Sequence, residues 1–324
     1  MNTDAQTFTP SPTPSSTADA ARATQVPRRS TFPLLALTAA LTFGPIFVAL
    51  TGCKAASAQT FAASAPTVAV TPAASSDHRE RWTTRPELQR HFDALNTRGT
   101  LVLMDSASYQ WMASDAARAY MPYLPASTFK IPMSLIALET RAAQDENTRF
   151  AWDGQQRRLR DWNQDQTLAS AYKVSAVWVF QRLARTVGQP TVQQFLYDFR
   201  YGNAKAGPVG DTFWLEGDLR ISAVGQIEFL RRLHDRQLPL SDATYATARQ
   251  VMRRDTGPGW TLYAKTGWGD ATTPAVGWFV GWLERERDPR PVYFALNMDM
   301  LHDELGPQRE RVVKDSLRAL GYLD

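Results

Sequence analysis

The chain has 324 residues, with 36 Lys and Arg against 32 Asp and Glu and a net charge of +4. Its length suits one large domain or two small ones, and 44% hydrophobic residues with 10 Trp, 10 Tyr and 15 Phe are enough for a sizeable core. The slight basic excess forms no Lys/Arg stripe, which argues against a nucleic-acid partner; the single cysteine excludes a disulfide framework; and the scattered His78, His91, His234 and His302 exclude a paired zinc site, so no metal is expected.

Residues 1–58 read as an export leader. They are rich in Ser, Thr, Pro and Ala, and Arg28-Arg29 precedes an apolar run from Phe32 to Leu50. That run is interrupted by Pro33 and Pro45 and is short for a bilayer span. Two processing routes stay open. Ala56-Ser57-Ala58 fits a signal-peptidase site, whereas Leu50-Thr51-Gly52-Cys53 fits a lipobox whose Cys53 would carry a lipid. An uncut single anchor is the third alternative. The expected destination is the periplasm, with membrane attachment only through Cys53. A flexible linker is expected over residues 59–77 and the catalytic domain over 78–324.

The spacing of Leu88, Phe92 and Leu95 predicts a helix over Arg85–Leu95. Gly99–Met104 reads as a strand, and Tyr109–Ala113 as its partner. From Ser127 to about Arg253 the pattern is mainly helical, clearest over Val192–Phe199 and Ala223–His234. Trp260–Thr266, Ala275–Glu284 and Pro291–Met300 read as strands, with a hairpin loop over Arg285–Arg290. Arg309–Leu320 closes the chain as a helix. Strands first and last with helices between predict an α/β chain of the α+β type. Its antiparallel sheet is built from both chain ends, flanked by helices, around an inserted helical region.

Within Pro125-Ala-Ser127-Thr-Phe-Lys130, Ser127 is a good helix-start residue, and Ile131–Leu138 is apolar on nearly every face. Pro132 is tolerable only near a helix start, which places the first turn at Ser127 or Thr128. Residues i and i+3 share a face, so the Lys130 amine lies beside the Ser127 hydroxyl. A serine needs a base to become a nucleophile, and a lysine serves only if burial keeps its amine neutral. The bland alternative is a helix start with an incidental lysine. Further along come Lys173-Val-Ser175-Ala-Val177, Tyr201-Gly-Asn203, Phe213-Trp214-Leu215 and Lys265-Thr266-Gly267-Trp268. Each has a structural reading of its own. Ser175 could cap a helix, Trp214 could be core, and Gly267 could let a ligand approach the backbone.

In this order and spacing, Ser127-Thr-Phe-Lys130, Ser175-Ala-Val177, Tyr201-Gly-Asn203, Phe213-Trp-Leu215 and Lys265-Thr-Gly267 resemble the class D (oxacillinase-type) serine β-lactamases over about residues 85–321. Class A enzymes differ in carrying S-D-N where this chain has Ser175-Ala-Val177, and Glu216 reads as a loop residue rather than their catalytic glutamate.

The resemblance implies the serine β-lactamase/penicillin-binding fold and hydrolysis of penicillin-type antibiotics through an acyl-enzyme on Ser127. It implies that Lys130 is carbamylated (N6-carboxylysine) by CO₂ or bicarbonate, with no other cofactor, and acts as general base. Phe129, Val177 and Leu215 would wall the amine, and Trp214 would donate its indole N–H to the modified group. Ser175 would relay a proton to the β-lactam nitrogen, with Lys265 tuning it. The backbone N–H groups of Ser127 and Trp268 would form the oxyanion hole. Lys265, Thr266 and an arginine, Arg309 or its rival Arg311, would hold the substrate carboxylate, with Val177, Gly267 and Trp268 lining the site. Loops around Trp111, Gly202 and Trp268 would shape the substrate spectrum. The expected partner is a small-molecule β-lactam, and the expected assembly a monomer or homodimer. Two rival functions are a β-lactam sensor, in which the acyl-enzyme persists, and a peptidoglycan transpeptidase.

Overall fold

A computed structural model describes residues 82–323. The leader, the linker, Cys53 and the expected domain start at His78 lie outside them. Contacts divide the chain into Met1–Val70 and Thr71–Asp324, and every described residue belongs to the second unit.

In chain order the strands and α-helices are β1 Trp82–Thr84, α1 Pro86–Asp93, β2 Gly99–Asp105, β3 Gln110–Ala113, α2 Ala116–Ala119, α3 Lys130–Glu139, β4 Arg149–Phe150 and β5 Gln166–Thr167. There follow α4 Leu168–Val174, α5 Val177–Val187, α6 Gln189–Asp198, α7 Ala223–His234, α8 Asp242–Met252, β6 Arg253–Gly257, β7 Trp260–Gly269, β8 Ala275–Arg285, β9 Asp288–Met300 and α9 Leu305–Ala319. Seven strands form one sheet in the order β1-β3-β2-β9-β8-β7-β6, antiparallel except between β1 and β3. Both chain ends therefore contribute to one sheet, and α2 to α8 are inserted between its halves.

The central strands read as continuous apolar runs because helices cover both faces. Successive residues of a strand point to opposite sides. Trp278, Val280 and Trp282 of β8 join a core under the inserted helices. Phe279 and Leu283 join a second core with Leu88 and Phe92 of α1 and Val313 and Leu317 of α9.

Several local features depart from the expected pattern, among them the strands β4, β5 and β6, for which no strand was expected. β1 was not foreseen: three residues are too few to show a period, and only pairing with β3 makes them a strand. The loop expected over Arg285–Arg290 is shorter, because Arg285 already pairs with Asp288 and only Glu286 and Arg287 turn. α9 begins at Leu305, one turn before Arg309. The α-helix after the serine starts at Lys130, preceded by a 3-10 turn over Ala126–Phe129. Ala126 has φ +48°, and both the N–H and the Oγ1 of Thr128 donate to Pro125 O, at 3.1 and 2.7 Å, which tightens the turn.

The segment leading into that turn is tied to the sheet. Arg118 of α2 donates from Nη2 to Asp299 Oδ1 at 2.8 Å and from Nε to Asn297 Oδ1 at 2.6 Å. Trp278 Nε1 donates to Leu124 O at 2.9 Å, and Tyr123 bridges Ile221. The Arg118 and Asp299 side chains are only 6% and 9% exposed, so removing one leaves the other charge buried. Asp299→Ala is expected to cost about 3–5 kcal/mol in urea unfolding, and Arg118→Met combined with Asp299→Leu should recover part of that loss.

Candidate active site

The 3-10 turn places Ser127 one turn before Lys130, and side chains at i and i+3 eclipse in that geometry. Lys130 Nζ donates to Ser127 Oγ at 2.8 Å. Lys130 is completely buried, and burial lowers its pKa from 10.5 to about 7. The ring centre of Phe180 lies 5.2 Å from its Nζ. Phe129 stacks on Trp214 at 5.1 Å and meets the edge of Phe213 at 5.0 Å. Val177 and Leu215, expected as walls, are only partly buried. Phe180 was missed, although it sits three residues after Val177 on the same helix. Trp214 is fully buried, and its Nε1–H has no acceptor among the described residues.

Ser175 takes the left-handed conformation, φ +62°, as the C-cap of α4. Lys265 Nζ donates to Ser175 Oγ at 3.0 Å and to Thr266 O at 2.9 Å. Lys265 is also buried. Burial first, and then the positive charges of Lys130, Arg254 and Arg309, hold its pKa well below the usual lysine value. Ser127, Lys130, Ser175 and Lys265 thus form two serine–lysine pairs, near enough for the Lys130 charge to act on Lys265.

β7 carries Lys265, Thr266, Gly267 and Trp268 past the turn that holds Ser127. A Cβ on Gly267 would meet Thr128 Cγ2 and Trp278 Cβ at 3.1 Å and Pro125 O at 3.2 Å. Glycine at this position lets β7 approach both the 125–128 turn and Trp278 of β8 closely. Arg309 is nearly buried. Its Nε donates to Gly306 O at 2.8 Å, its Nη1 to Gly267 O, and its guanidinium carbon lies 5.4 Å from the Trp268 ring centre. Burial lowers its pKa to about 10, so it stays charged near neutrality. Arg311 is 73% exposed and pairs with Asp315 at 3.5 Å. Of the two, Arg309 is the one held against β7.

Other motifs hold the frame. A Cβ on Gly202 would meet Arg220 O at 2.1 Å, and Asn203 Nδ2 donates to Asp218 O at 2.8 Å, so Tyr201-Gly-Asn203 clasps the 218–220 loop. Trp111 is buried against Trp82 at 5.4 Å. Glu216 is exposed and accepts from Thr212 Oγ1 at 2.8 Å. Gln226, fully buried on α7, donates to Thr128 Oγ1 at 2.8 Å and supports the Ser127 turn. Its signal was a lone amide on an otherwise apolar helix face.

A buried amine lowers stability while the unfolded chain still holds it as a cation. In bicarbonate-free buffer near pH 7, Lys130→Met should raise the unfolding free energy by about 1–4 kcal/mol. The advantage is full below the folded pKa of about 7 and fades as pH rises toward 10.5, where the unfolded amine is neutral too. Urea unfolding across that range checks it; a difference independent of pH would contradict a titrating buried amine.

The family model "Penicillin binding protein transpeptidase domain" matches residues 94–318. Beta-lactamase OXA-5 of Pseudomonas aeruginosa is 41% identical over 72% of this chain and 88% of its own. Beta-lactamase OXA-48 of Klebsiella pneumoniae is 38% identical over 74% and 89%. Among solved structures, the class D β-lactamase YbXI from Nostoc superposes with a TM-score of 0.71 at 39% identity, over 73% of this chain and 99% of that one. The class D β-lactamase of Sebaldella termitidis gives 0.72 at 32% identity, over 75% and 99%. With these relatives, this fold and two neighbouring serine–lysine pairs, the chain belongs to the class D serine β-lactamases.

Proposed function

We propose that this enzyme hydrolyses penicillin-type β-lactams with Ser127 as nucleophile and with Lys130, carbamylated by CO₂, as the general base. The observation that carries the reading is the Lys130 amine, 2.8 Å from Ser127 Oγ and buried so that its pKa falls to about 7. Only a neutral amine adds CO₂, and the addition would supply a carboxylate base at this position. The unpartnered, buried Nε1–H of Trp214 is a donor suited to such a group.

Ser127 Oγ attacks the lactam carbonyl as its proton leaves toward the Lys130 position. The Ser127 N–H lies in the first turn of the 3-10 element, where backbone N–H groups lack partners within the helix, which supports its use, with the Trp268 N–H, as an oxyanion donor. The C–N bond breaks, and the departing nitrogen takes the Ser175 proton, which Lys265 can replace through its 3.0 Å hydrogen bond. Thr266, Lys265 and Arg309 hold the substrate carboxylate. Arg309 has Nε and Nη1 committed to main-chain carbonyls, so Nη2 is its open donor rather than a two-pronged edge. Water then cleaves the acyl ester, and Ser127 is free again.

No described helix is long and apolar enough to cross a membrane. The leader supports a periplasmic address, with Cys53 as an alternative lipid attachment.

Ser127→Ala should abolish turnover, and Lys130→Ala should nearly do so. After exposure to low pH, added bicarbonate should restore the rate of the unmodified sequence. Steady-state kinetics that are indifferent to bicarbonate, together with a Lys130→Ala variant that still hydrolyses, would refute the carbamate reading. Trp214→Phe keeps an aromatic ring against Phe129 but removes the N–H. Quenched mass spectrometry should then show acyl-enzyme accumulating; a variant that accumulates none removes Trp214 from deacylation.

A further inference from the structure

The cavity shared by Ser175, Thr266 and Arg309 measures about 690 Å³ and extends to Lys173, Arg254 and Lys314. Arg254 was not singled out by any sequence motif. It lies on β6, the edge strand of the sheet. β6 pairs Arg253 with Tyr263 and Asp255 with Leu262, so Arg254 is the extra residue of a β-bulge. Bulges at sheet edges re-aim a side chain, often beside an active site.

The guanidinium is held in place. Its Nε and Nη2 donate to Glu310 Oε2 at 3.2 and 2.9 Å. Glu310 Oε1 lies 2.8 Å from Lys314 Nζ, which also donates to Asp255 Oδ2 at 2.6 Å. Both carboxylates are thus engaged, while Arg254 Nη1 has no hydrogen-bond partner among the described residues. Lys173 and Arg309 line the same cavity with no carboxylate partner among the described residues, which leaves it cationic. Arg254 is close enough for its charge to act on Lys265, Arg309 and Tyr172.

We propose that Arg254 is a specificity-determining residue, forming an anion subsite beside Thr266 and Arg309. It favours β-lactams whose ring carries a second negative group on the carbon next to the carboxylate-bearing carbon, the C3 position of a cephem. This rests on the reading that Thr266 and Arg309 hold the carboxylate. With the carboxylate fixed there, a substituent on the adjacent ring carbon emerges beside it. The cavity that continues from Thr266 and Arg309 is the one Arg254 lines.

The test uses three cephems with the same acyl side chain and with anionic, neutral or cationic C3 substituents. In Arg254→Gln the ratio of kcat/KM for the anionic substrate to that for the neutral one should fall about fivefold. The cationic-to-neutral ratio should rise by a similar factor, the scale of a partly exposed charge pair. Arg254→Lys should keep most of the preference. In the unaltered enzyme, added NaCl should shrink the anionic-over-cationic preference, a readout that needs no variant. Ratios unchanged in a folded Arg254→Gln, or a preference indifferent to salt, overturn the proposal. Arg309→Ala separates the two readings. If it depresses all three substrates alike, the carboxylate assignment stands whatever Arg254 does; if it depresses none, that assignment fails.

Discussion

The amine of Lys130 sits where both water and counter-charge have been removed. Among the described residues no carboxylate pairs with it, and its hydrogen-bond partner is the Ser127 hydroxyl. A lysine in that position is driven toward its neutral form, since charging it would leave a cation in a low-dielectric interior. A second buried lysine, Lys265, strengthens the constraint, because two ammonium groups in one dry cleft repel. Much of the inserted helical region meets this requirement. α5 supplies Phe180, the 213–214 segment supplies Phe213 and Trp214, and α7 supplies Gln226 to fix the turn.

Dryness alone would not align hydroxyl and amine. Ala126 is held at positive φ, an arrangement that costs of order 1–3 kcal/mol for a residue with a side chain. The turn persists because its surroundings fix it. Ala126 N–H donates to Trp214 O at 3.0 Å, Trp278 holds Leu124, and β7 closes against Thr128 where Gly267 has no side chain. Ser175 repeats the pattern at φ +62°, aimed by the end of α4 toward Lys265. Both serines are presented by strained turns on rigid elements rather than by mobile loops.

The parts legible in the sequence are those with local causes. α7 was read to the residue, since Ser222 caps it, its apolar spacing is regular and charged residues end it. The Ser127–Lys130 pair follows from helical spacing, and the nearness of Ser175 and Lys265 from the family resemblance. What was illegible depends on contacts distant in sequence. The 3-10 turn looked like ordinary helix because its geometry is set by the 214 segment and β7. Phe180 looked like generic core until the fold placed it against an amine fifty residues earlier. Arg254 had no motif, since a bulge is a property of two paired strands and not of one.

The resulting cleft has two unlike ends. Around Lys130 are aromatic rings and an amine whose charged form burial disfavours; around Arg309 are fixed guanidinium groups, carboxylates and lysines. A β-lactam has the matching asymmetry, a neutral strained amide at one point and an obligatory carboxylate a fixed distance away. Binding the carboxylate at the charged end leaves the amide to enter the dry end, where an oxyanion is stabilised most strongly by backbone donors. The opposite orientation would bury a carboxylate against Phe129 and Trp214 and leave Arg309 unmatched. In the proposed binding mode the polarity gradient selects orientation before any contact specific to the rest of the substrate is made. Such contacts, including those of Arg254, then act on substituents whose position the gradient has already fixed.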